Sequence, residues 1–340
     1  MKDRLKMFQE AFPNERPFRL RQFLSALFLD SNTSFSEITV FPRHMRETLG
    51  EKIPWMMWDR ETILVSKNKD THKAILFSTW DNAKIETVLM KNARGHWTIC
   101  VSSQVGCPMK CAFCATGTMG FIRNLSQDEI LDQYRFWKEY AREKQLQGEI
   151  TNIVFMGMGE PLANYDAVKS SIGNFIEYAG IGMTRITVST VGFLPTLETI
   201  LTDPQWPNVR LAISLHSADE KTRNILMPSS YEGFLEKLSL WIQKYFQTYP
   251  GRRRHITFEY VLLGGVNDTD AHAEKLLRFS RSLGKVRINL IPYNATDSNF
   301  HSSKRIEYFQ NFLKRGNIVV TVRRSLGDDI DAACGQLVVG

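Results

Sequence analysis

The chain has 340 residues, 43% of them hydrophobic, which allows one large α/β domain with a smaller unit beside it. No apolar run approaches the ~18 residues of a membrane span, and the polar opening Met1-Lys-Asp-Arg-Leu-Lys lacks a signal-peptide stretch, so a cytoplasmic protein without a membrane partner is expected. A net charge of +7 suits a polyanionic partner, and five cysteines, an odd number mostly clustered, argue against a disulfide framework and for metal or redox chemistry.

Residues 1 to about 60 are expected to be helical. Within 17–30, Phe18, Leu20, Phe23, Leu24, Leu27 and Phe28 recur at three- and four-residue spacings and form one apolar face, with Arg16, Arg19 and Arg21 elsewhere. Those arginines suit either a solvated face or contact with RNA phosphates. From Lys73 the period becomes two: segments 74–80 and 84–90 flank a turn at Asp81-Asn82 and predict a hairpin. Glu86, on its second strand, is by itself an exposed strand carboxylate. Over 97–103, Thr98, Cys100 and Ser102 share one face and Trp97, Ile99 and Val101 the other. This puts Cys100 on the polar side, an unusual place for a structural cysteine.

Next comes Cys107-Pro-Met-Lys-Cys111-Ala-Phe-Cys114, three cysteines spaced C-x3-C-x2-C. Three thiolates on one loop leave one coordination position open: a [4Fe–4S] cluster would keep an iron free for a small molecule, whereas zinc would need a fourth ligand, for which Cys100 is the candidate. After breaks at Gly117 and Gly120, Ser126-Gln-Asp-Glu129 is a capping box opening a helix to about Lys144. Strands are then expected near 151–156, 185–190, 208–215, 255–263, 286–292 and 317–323, with helices near 163–178, 194–203, 231–246, 268–283 and 303–315. The alternation predicts an α/β fold with a parallel sheet, either an open doubly wound sheet or a complete or partial barrel.

Ligands of such folds collect at the carboxyl ends of the strands. There lie Gly157-Met-Gly159-Glu160-Pro161, whose glycines admit a close ligand and whose Glu160 offers an acceptor for an ammonium group, then Ser189-Thr190, Ser214-Leu215-His216, and Asn294 after Pro292-Tyr293. Each has a bland reading, as a turn, a cap or a satisfied core histidine. Their recurrence around one cysteine loop favours a site. The stretch from Gly327 to Leu337 has no helical or strand period and carries Cys334 on a small-residue loop, so with Cys100 a two-thiol mechanism is conceivable.

Taken together, Cys100-Val-Ser-Ser-Gln-Val-Gly-Cys107, Phe155-Met-Gly-Met-Gly-Glu-Pro-Leu162, Ile213-Ser-Leu-His216, Ile288-Asn-Leu-Ile-Pro-Tyr-Asn294 and residues 327–337 resemble the RlmN-type radical S-adenosylmethionine (SAM) adenine-C2 methyltransferases. The resemblance spans about residues 16 to 337. It departs at residues 22–30, where the family usually carries a Trp-containing aromatic pattern.

That resemblance implies a partial (βα)6 barrel over 96–340, a helical RNA-binding unit over 1–70 and a linking β-hairpin over 71–95. It implies a [4Fe–4S] cluster on Cys107, Cys111 and Cys114, and two SAM molecules per turnover, held by Gly159, Glu160, Ser189, Ser214, Leu215, His216 and Asn294. Cys334 would be methylated by one SAM; a radical from the second would take a hydrogen from that methyl group, and the carbon radical would add to adenine. Glu86 would accept the proton, and Cys100 would release the product by forming a disulfide with Cys334. The implied partners are 23S rRNA, a tRNA with an anticodon-adjacent adenosine, and a reductant such as flavodoxin or ferredoxin, for a monomeric enzyme. The rivals are a Cfr-type carbon-8 methyltransferase, from which Pro161 and the doubled Asp328-Asp329 distinguish this chain, and a non-catalytic RNA-binding module stapled by zinc on Cys100, Cys107, Cys111 and Cys114.

Overall fold

The computed structural model describes residues 3–251, 254–296 and 299–338. The chain opens with α1 (Arg4–Ala11), α2 (Pro17–Leu27) and α3 (Arg43–Lys52). Their apolar stripes, with Phe35 and Phe41 from the segment joining α2 to α3, bury Phe8, Phe23, Met45 and Leu49 in a core of their own, with the rings of Phe8 and Phe23 4.9 Å apart. Asp3 caps α1, accepting from the backbone N–H groups of Leu5 and Lys6.

Four strands follow: β1 (Trp58–Val65), β2 (Thr71–Ser78), β3 (Lys84–Lys91) and β4 (Trp97–Cys100), each antiparallel to the next. The first corrects the expectation of helix up to about residue 60 and within 1–70. The segment WDRETILV pairs antiparallel with β2, with one shift of register between Arg60 and Thr62; its Thr, Ile, Leu and Val favour a half-covered strand over a helix. The hairpin expected at 74–90 is the β2–β3 pair, and it continues without a break into the parallel strands. The strand expected over 97–103 stops at Cys100, because the chain turns away to form the short pair β5 (Gln104–Gly106) and β6 (Phe121–Asn124), which bracket the cysteine loop and its short helix α4 (Ala115–Thr118).

The capping box at Ser126 and Glu129 forms and opens α5 (Gln127–Glu143). The remaining units are β7 (Ile150–Phe155) with α6 (Tyr165–Glu177), β8 (Ile186–Thr190) with α7 (Leu194–Thr202), β9 (Arg210–Ser214) with α8 (Glu220–Leu226) and α9 (Phe234–Thr248), β10 (Ile256–Leu262) with α10 (Asp270–Leu283), and β11 (Val286–Pro292) with α11 (Ile306–Arg315), closed by β12 (Val319–Val322). Of the helices, α4 and α8 were outside those expected; α8 is a short helix capped by the Asp219 side chain, which accepts from the Thr222 N–H. Strands β4 and β7 to β12 are parallel and neighbours in that order, so six βα units and a final strand form one sheet, with no β1–β12 pairing among the described residues. The partial barrel is thus lengthened on one side by β1, β2 and β3. Its core runs from Trp58 and Leu76 through Trp97, Ile153, Val188, Phe258 and Ile288 to Val320. Among the described residues no helix is long and apolar enough to cross a membrane.

Candidate active site

The cysteine loop is set by glycines. Gly106 has φ +73, and a Cβ there would lie 1.9 Å from the Gly120 carbonyl oxygen, the same oxygen that accepts the Cys107 N–H at 2.8 Å. A Cβ on Gly117 would come within 2.9 Å of the Cys111 carbonyl oxygen. No other residue lets these segments approach so closely. Cys107, Cys111 and Cys114 consequently line one cavity of about 140 Å³ at the carboxyl ends of the parallel strands, with Met156, Ser189, Ser214, His216, Glu259, Arg323 and Cys334 around them. Burial pushes the Cys107 thiol up to about 12 and Cys111 higher still, and the neighbouring thiols add to both shifts. Thiolates here therefore need positive charge supplied by a metal centre, and an all-sulfur donor set on one loop fits iron–sulfur chemistry.

The zinc alternative fits less well. Among the described residues no three His, Cys, Asp or Glu side chains are gathered closely enough to ligate a single ion. Cys100 is buried, absent from the cavity wall, and pushed up to about 12 by burial and then by the nearby Cys334. The face it shares is that of Val88 and Glu86, its cross-strand neighbours on β3, so the side expected to be polar is an interior one.

The strand ends bring together most of the expected small-molecule residues. Gly159 (φ +97) could carry no side chain, since a Cβ would sit 2.5 Å from that of Gln104. Glu160 is buried, accepts from the N–H groups of Leu162 (3.0 Å) and Val191 (2.8 Å), and burial raises its carboxyl to about 7 in spite of them. Ser189 and Ser214 face the cavity. His216 leaves the strand at φ +53; its Nδ1 accepts from the Val261 N–H at 3.0 Å, which leaves the proton on Nε2, and burial holds its pKa down at about 3. Leu215 and Asn294 are not in the cavity wall. Leu215 is fully buried in the core and offers only its backbone, while Asn294 Nδ2 donates to the Cys334 carbonyl at 3.1 Å.

That last bond belongs to a set that seats the loop 327–338 over the cavity. Gln336 Nε2 donates to the carbonyl of Ala295 (3.1 Å) and to Asp328 Oδ1 (3.0 Å), the Lys67 N–H donates to Asp329 Oδ2 at 2.8 Å, and the Ala115 N–H donates to the carbonyl of Gly335 at 2.8 Å. Cys334 is held open to solvent at the cavity wall, yet the protein around it still pushes its thiol up to about 11. All five cysteines are free thiols. Glu86, expected to be exposed, is buried: its Oε1 lies 3.1 Å from Lys73 Nζ and its Oε2 accepts the Val338 N–H at 3.0 Å. Burial raises its carboxyl, with Lys73 pulling the other way.

Sequence reasoning missed Glu259, Arg323 and Lys73. Glu259 lines the cavity, accepts from Asn289 Nδ2 at 2.9 Å, pairs with Arg323 at 3.4 Å and has no partner for Oε2. The signal was a charged residue inside a largely apolar strand, ITFEYVL for Glu259 and THKAILFS for Lys73, since such groups are rarely buried without a reason.

Residues 101–279 match the model of the radical SAM superfamily. The chain is 40% identical to the dual-specificity RNA methyltransferase RlmN of Desulfotalea psychrophila, over 98% of this chain and 92% of that protein. It is 36% identical to the protein of that name from Psychrobacter arcticus, over 95% and 83%. The crystal structure of a radical SAM methyltransferase from Sphaerobacter thermophilus superposes with a TM-score of 0.88 and 36% identity, covering 98% of this chain and 97% of that one. Radical SAM proteins carry a [4Fe–4S] cluster and use SAM, which suits the three-thiol cavity found here; the chain belongs to the RlmN family of radical SAM RNA methyltransferases.

Proposed function

We propose that the protein methylates carbon 2 of an adenosine in 23S rRNA and of an anticodon-adjacent adenosine in tRNA, through a methylated Cys334. The observation that carries this reading is the placement of Cys334 on the wall of the cavity that also holds Cys107, Cys111 and Cys114, with Cys100 close enough behind it for the two thiols to feel each other's charge. Carbon 2 of adenine is not nucleophilic, so a carrier that delivers a carbon radical meets a need that direct SAM transfer does not. The cluster, held by Cys107, Cys111 and Cys114, would supply when bound the single electron that cleaves SAM, drawn from a protein reductant such as flavodoxin or ferredoxin.

The chain's own groups divide the remaining work. Gly159 admits SAM close to the backbone, Glu160 presents a carboxylate to its ammonium group, and Ser189, Ser214, His216 and Asn294 line or brace the pocket, with Leu215 contributing only backbone. Cys334 Sγ takes a methyl carbon as the sulfonium C–S bond breaks. After that carbon has lost a hydrogen and bonded to carbon 2, one electron leaves the adduct, returning the electron that began the cycle, and Glu86 takes the carbon-2 proton. Cys100 Sγ then bonds to Cys334 Sγ; the Cys334 S–C bond breaks with its electron pair on carbon, which takes up a proton, and an external dithiol reduces the disulfide. Pro161 after Gly-Glu and the paired Asp328-Asp329 resemble the carbon-2 enzymes rather than the carbon-8 group, and that resemblance supports carbon 2. The net charge of +7 suits an RNA substrate.

The test uses the cluster-loaded enzyme with an rRNA fragment and SAM. Cys100→Ala is expected to accumulate a covalent protein–RNA adduct through Cys334, and Cys334→Ala to form neither adduct nor methyladenosine. Digested wild-type product should comigrate with 2-methyladenosine and not 8-methyladenosine in mass-spectrometric chromatography. A Cys100→Ala enzyme that makes product at the wild-type rate with no adduct would overturn the two-thiol reading.

A further inference from the structure

Strands β2 and β3 pair so that Lys73 lies opposite Val88 and Ile75 opposite Glu86. Lys73 and Glu86 are therefore diagonal neighbours on one face of the sheet, the face that also carries Cys100 opposite Val88. Both are almost wholly buried, at 5% and 1% exposure. The Lys73 ammonium lies equally far from two acceptors, 3.1 Å from Glu86 Oε1 and 3.1 Å from the backbone carbonyl of Asp331. Glu86 answers from the other side by accepting the N–H of Val338. The charged pair thus grips the Cys334 loop at two points, three residues before the cysteine and four after it. The other bonds to the loop run through neutral donors or through Asp328 and Asp329. Among the described residues this is the one buried ion pair that touches the loop.

A buried ammonium with a carboxylate and a carbonyl as partners is a strong tie, because loss of either partner leaves a charge in low dielectric. Each Glu86 oxygen has one partner and the residue is 1% exposed, so the carboxylate is covered from a substrate while Val338 sits against it.

We propose that Lys73 is a positioning residue that couples the Cys334 loop to Glu86: its ammonium docks the loop through the Asp331 carbonyl and holds Glu86 engaged, so that Glu86 is freed to accept a proton only when the loop end at Val338 lifts. The inference rests on the reading of Cys334 as carrier and Glu86 as proton acceptor, but its docking half stands on geometry alone. Lys73 touches neither RNA nor SAM in this scheme; it acts through the loop and through Glu86.

The experiment compares Lys73→Met, Lys73→Arg and wild type as cluster-loaded proteins, first without RNA and then in RNA methylation. Hydrogen exchange of the amides of 331–338 and the alkylation rate of Cys334 by iodoacetamide report docking. Lys73→Met is expected to speed both about tenfold or more, the scale of one charge-assisted hydrogen bond, and to lower kcat for RNA methylation while leaving KM for RNA unchanged; Lys73→Arg is expected to restore most of each. Should Lys73→Met fail to fold, Val338→Pro removes the donor at an exposed loop end and is expected to speed exchange and alkylation in the same direction. A folded variant of either kind with wild-type exchange and alkylation would overturn the proposal. The carrier reading fails separately, when Cys334→Ala still methylates RNA, and that outcome leaves the docking measurement unaffected.

Discussion

Two buried charge clusters do different things in this molecule. The first joins the amino-terminal helices to the barrel. Arg4 donates through Nε to the Pro54 carbonyl (3.0 Å), through Nη1 to Asp132 Oδ1 (3.1 Å) and through Nη2 to the Trp55 carbonyl (2.9 Å), while Asp132 also accepts from Arg135 (2.6 Å) and from the Met57 N–H (2.6 Å). The second lines the cavity, where Glu259 keeps Oε2 unpartnered and Arg323 is a third exposed. The difference teaches where function can reside. In the first, even Asp128 Oδ1, which has no hydrogen-bond partner, lies 3.4 Å from Arg4 Nη1 in an ion pair, so the network fixes geometry and has little left to offer a ligand, whereas the oxygen left over on Glu259 waits for a group to complete it. Substitutions in the first cluster should therefore cost stability, and substitutions in the cavity should cost chemistry.

The largest expected effect lies in the cavity. Cys111→Ala removes one of three thiolates from a loop already fixed by Gly106 and Gly117. Anaerobically reconstituted protein is expected to lose its iron and labile sulfide and all SAM cleavage, while its far-ultraviolet circular dichroism stays that of the wild type. Stoichiometric zinc with no iron in the reconstituted wild type would break this side of the comparison.

The amino-terminal cluster supplies the next. Asp132→Asn leaves Arg4 and Arg135 buried without their shared carboxylate and is expected to cost roughly 3–5 kcal/mol in denaturant unfolding, with SAM cleavage by the folded fraction unchanged. Burial raises the Asp132 carboxyl, but Arg4 and Arg135 outweigh it and hold it below the usual carboxylate value. Its contribution is therefore present above the unfolded value of about 3.9 and is lost as pH falls through the lower folded value. Asp128, raised by burial, works in the opposite sense. Wild-type stability is expected to fall more steeply with acid than that of Asp132→Asn; equal slopes would remove Asp132 from the account.

Most of the fold was legible because its signals are local. The capping box at Ser126 and the alternation of apolar strands with amphipathic helices needed only neighbouring residues, and every helix expected after Ser126 is present. What was not legible depended on distant partners. Trp58–Val65 becomes a strand because β2 is there to pair with it, and Glu86 is buried because residues 331 and 338, at the far end of the chain, close over it. The cysteine loop announced itself by spacing, while Lys73, Glu259 and Arg323 could be recognised only as ionisable residues in or beside apolar strands, with nothing in the sequence to say which cavity they face. Cys100 was misplaced for the same reason: alternation gives its side of the strand but not what covers that side.

The smallest expected effect concerns RNA docking on the amino-terminal helices. Arg16 and Arg21 are exposed, but Arg19 is already engaged: its Nη1 donates to Gln22 Oε1 (3.0 Å) and to the Val40 carbonyl (2.9 Å), and its guanidinium lies 5.1 Å from the Phe18 ring centroid. Removing Arg19 would disturb packing, so Arg16→Ala/Arg21→Ala isolates the charge. Each phosphate that the protein no longer neutralises should reduce the slope of log affinity against log salt by about 0.7–0.9. The double variant is therefore expected to bind an rRNA fragment more weakly at low salt and with a slope shallower by about 1.5. SAM cleavage without RNA should be unaffected, since the cavity lies at the strand ends and touches neither residue. Fluorescence anisotropy over a salt series gives both quantities from one titration. An unchanged affinity and slope would move RNA recognition off these helices and onto the barrel face around Cys334, where binding and chemistry would then coincide.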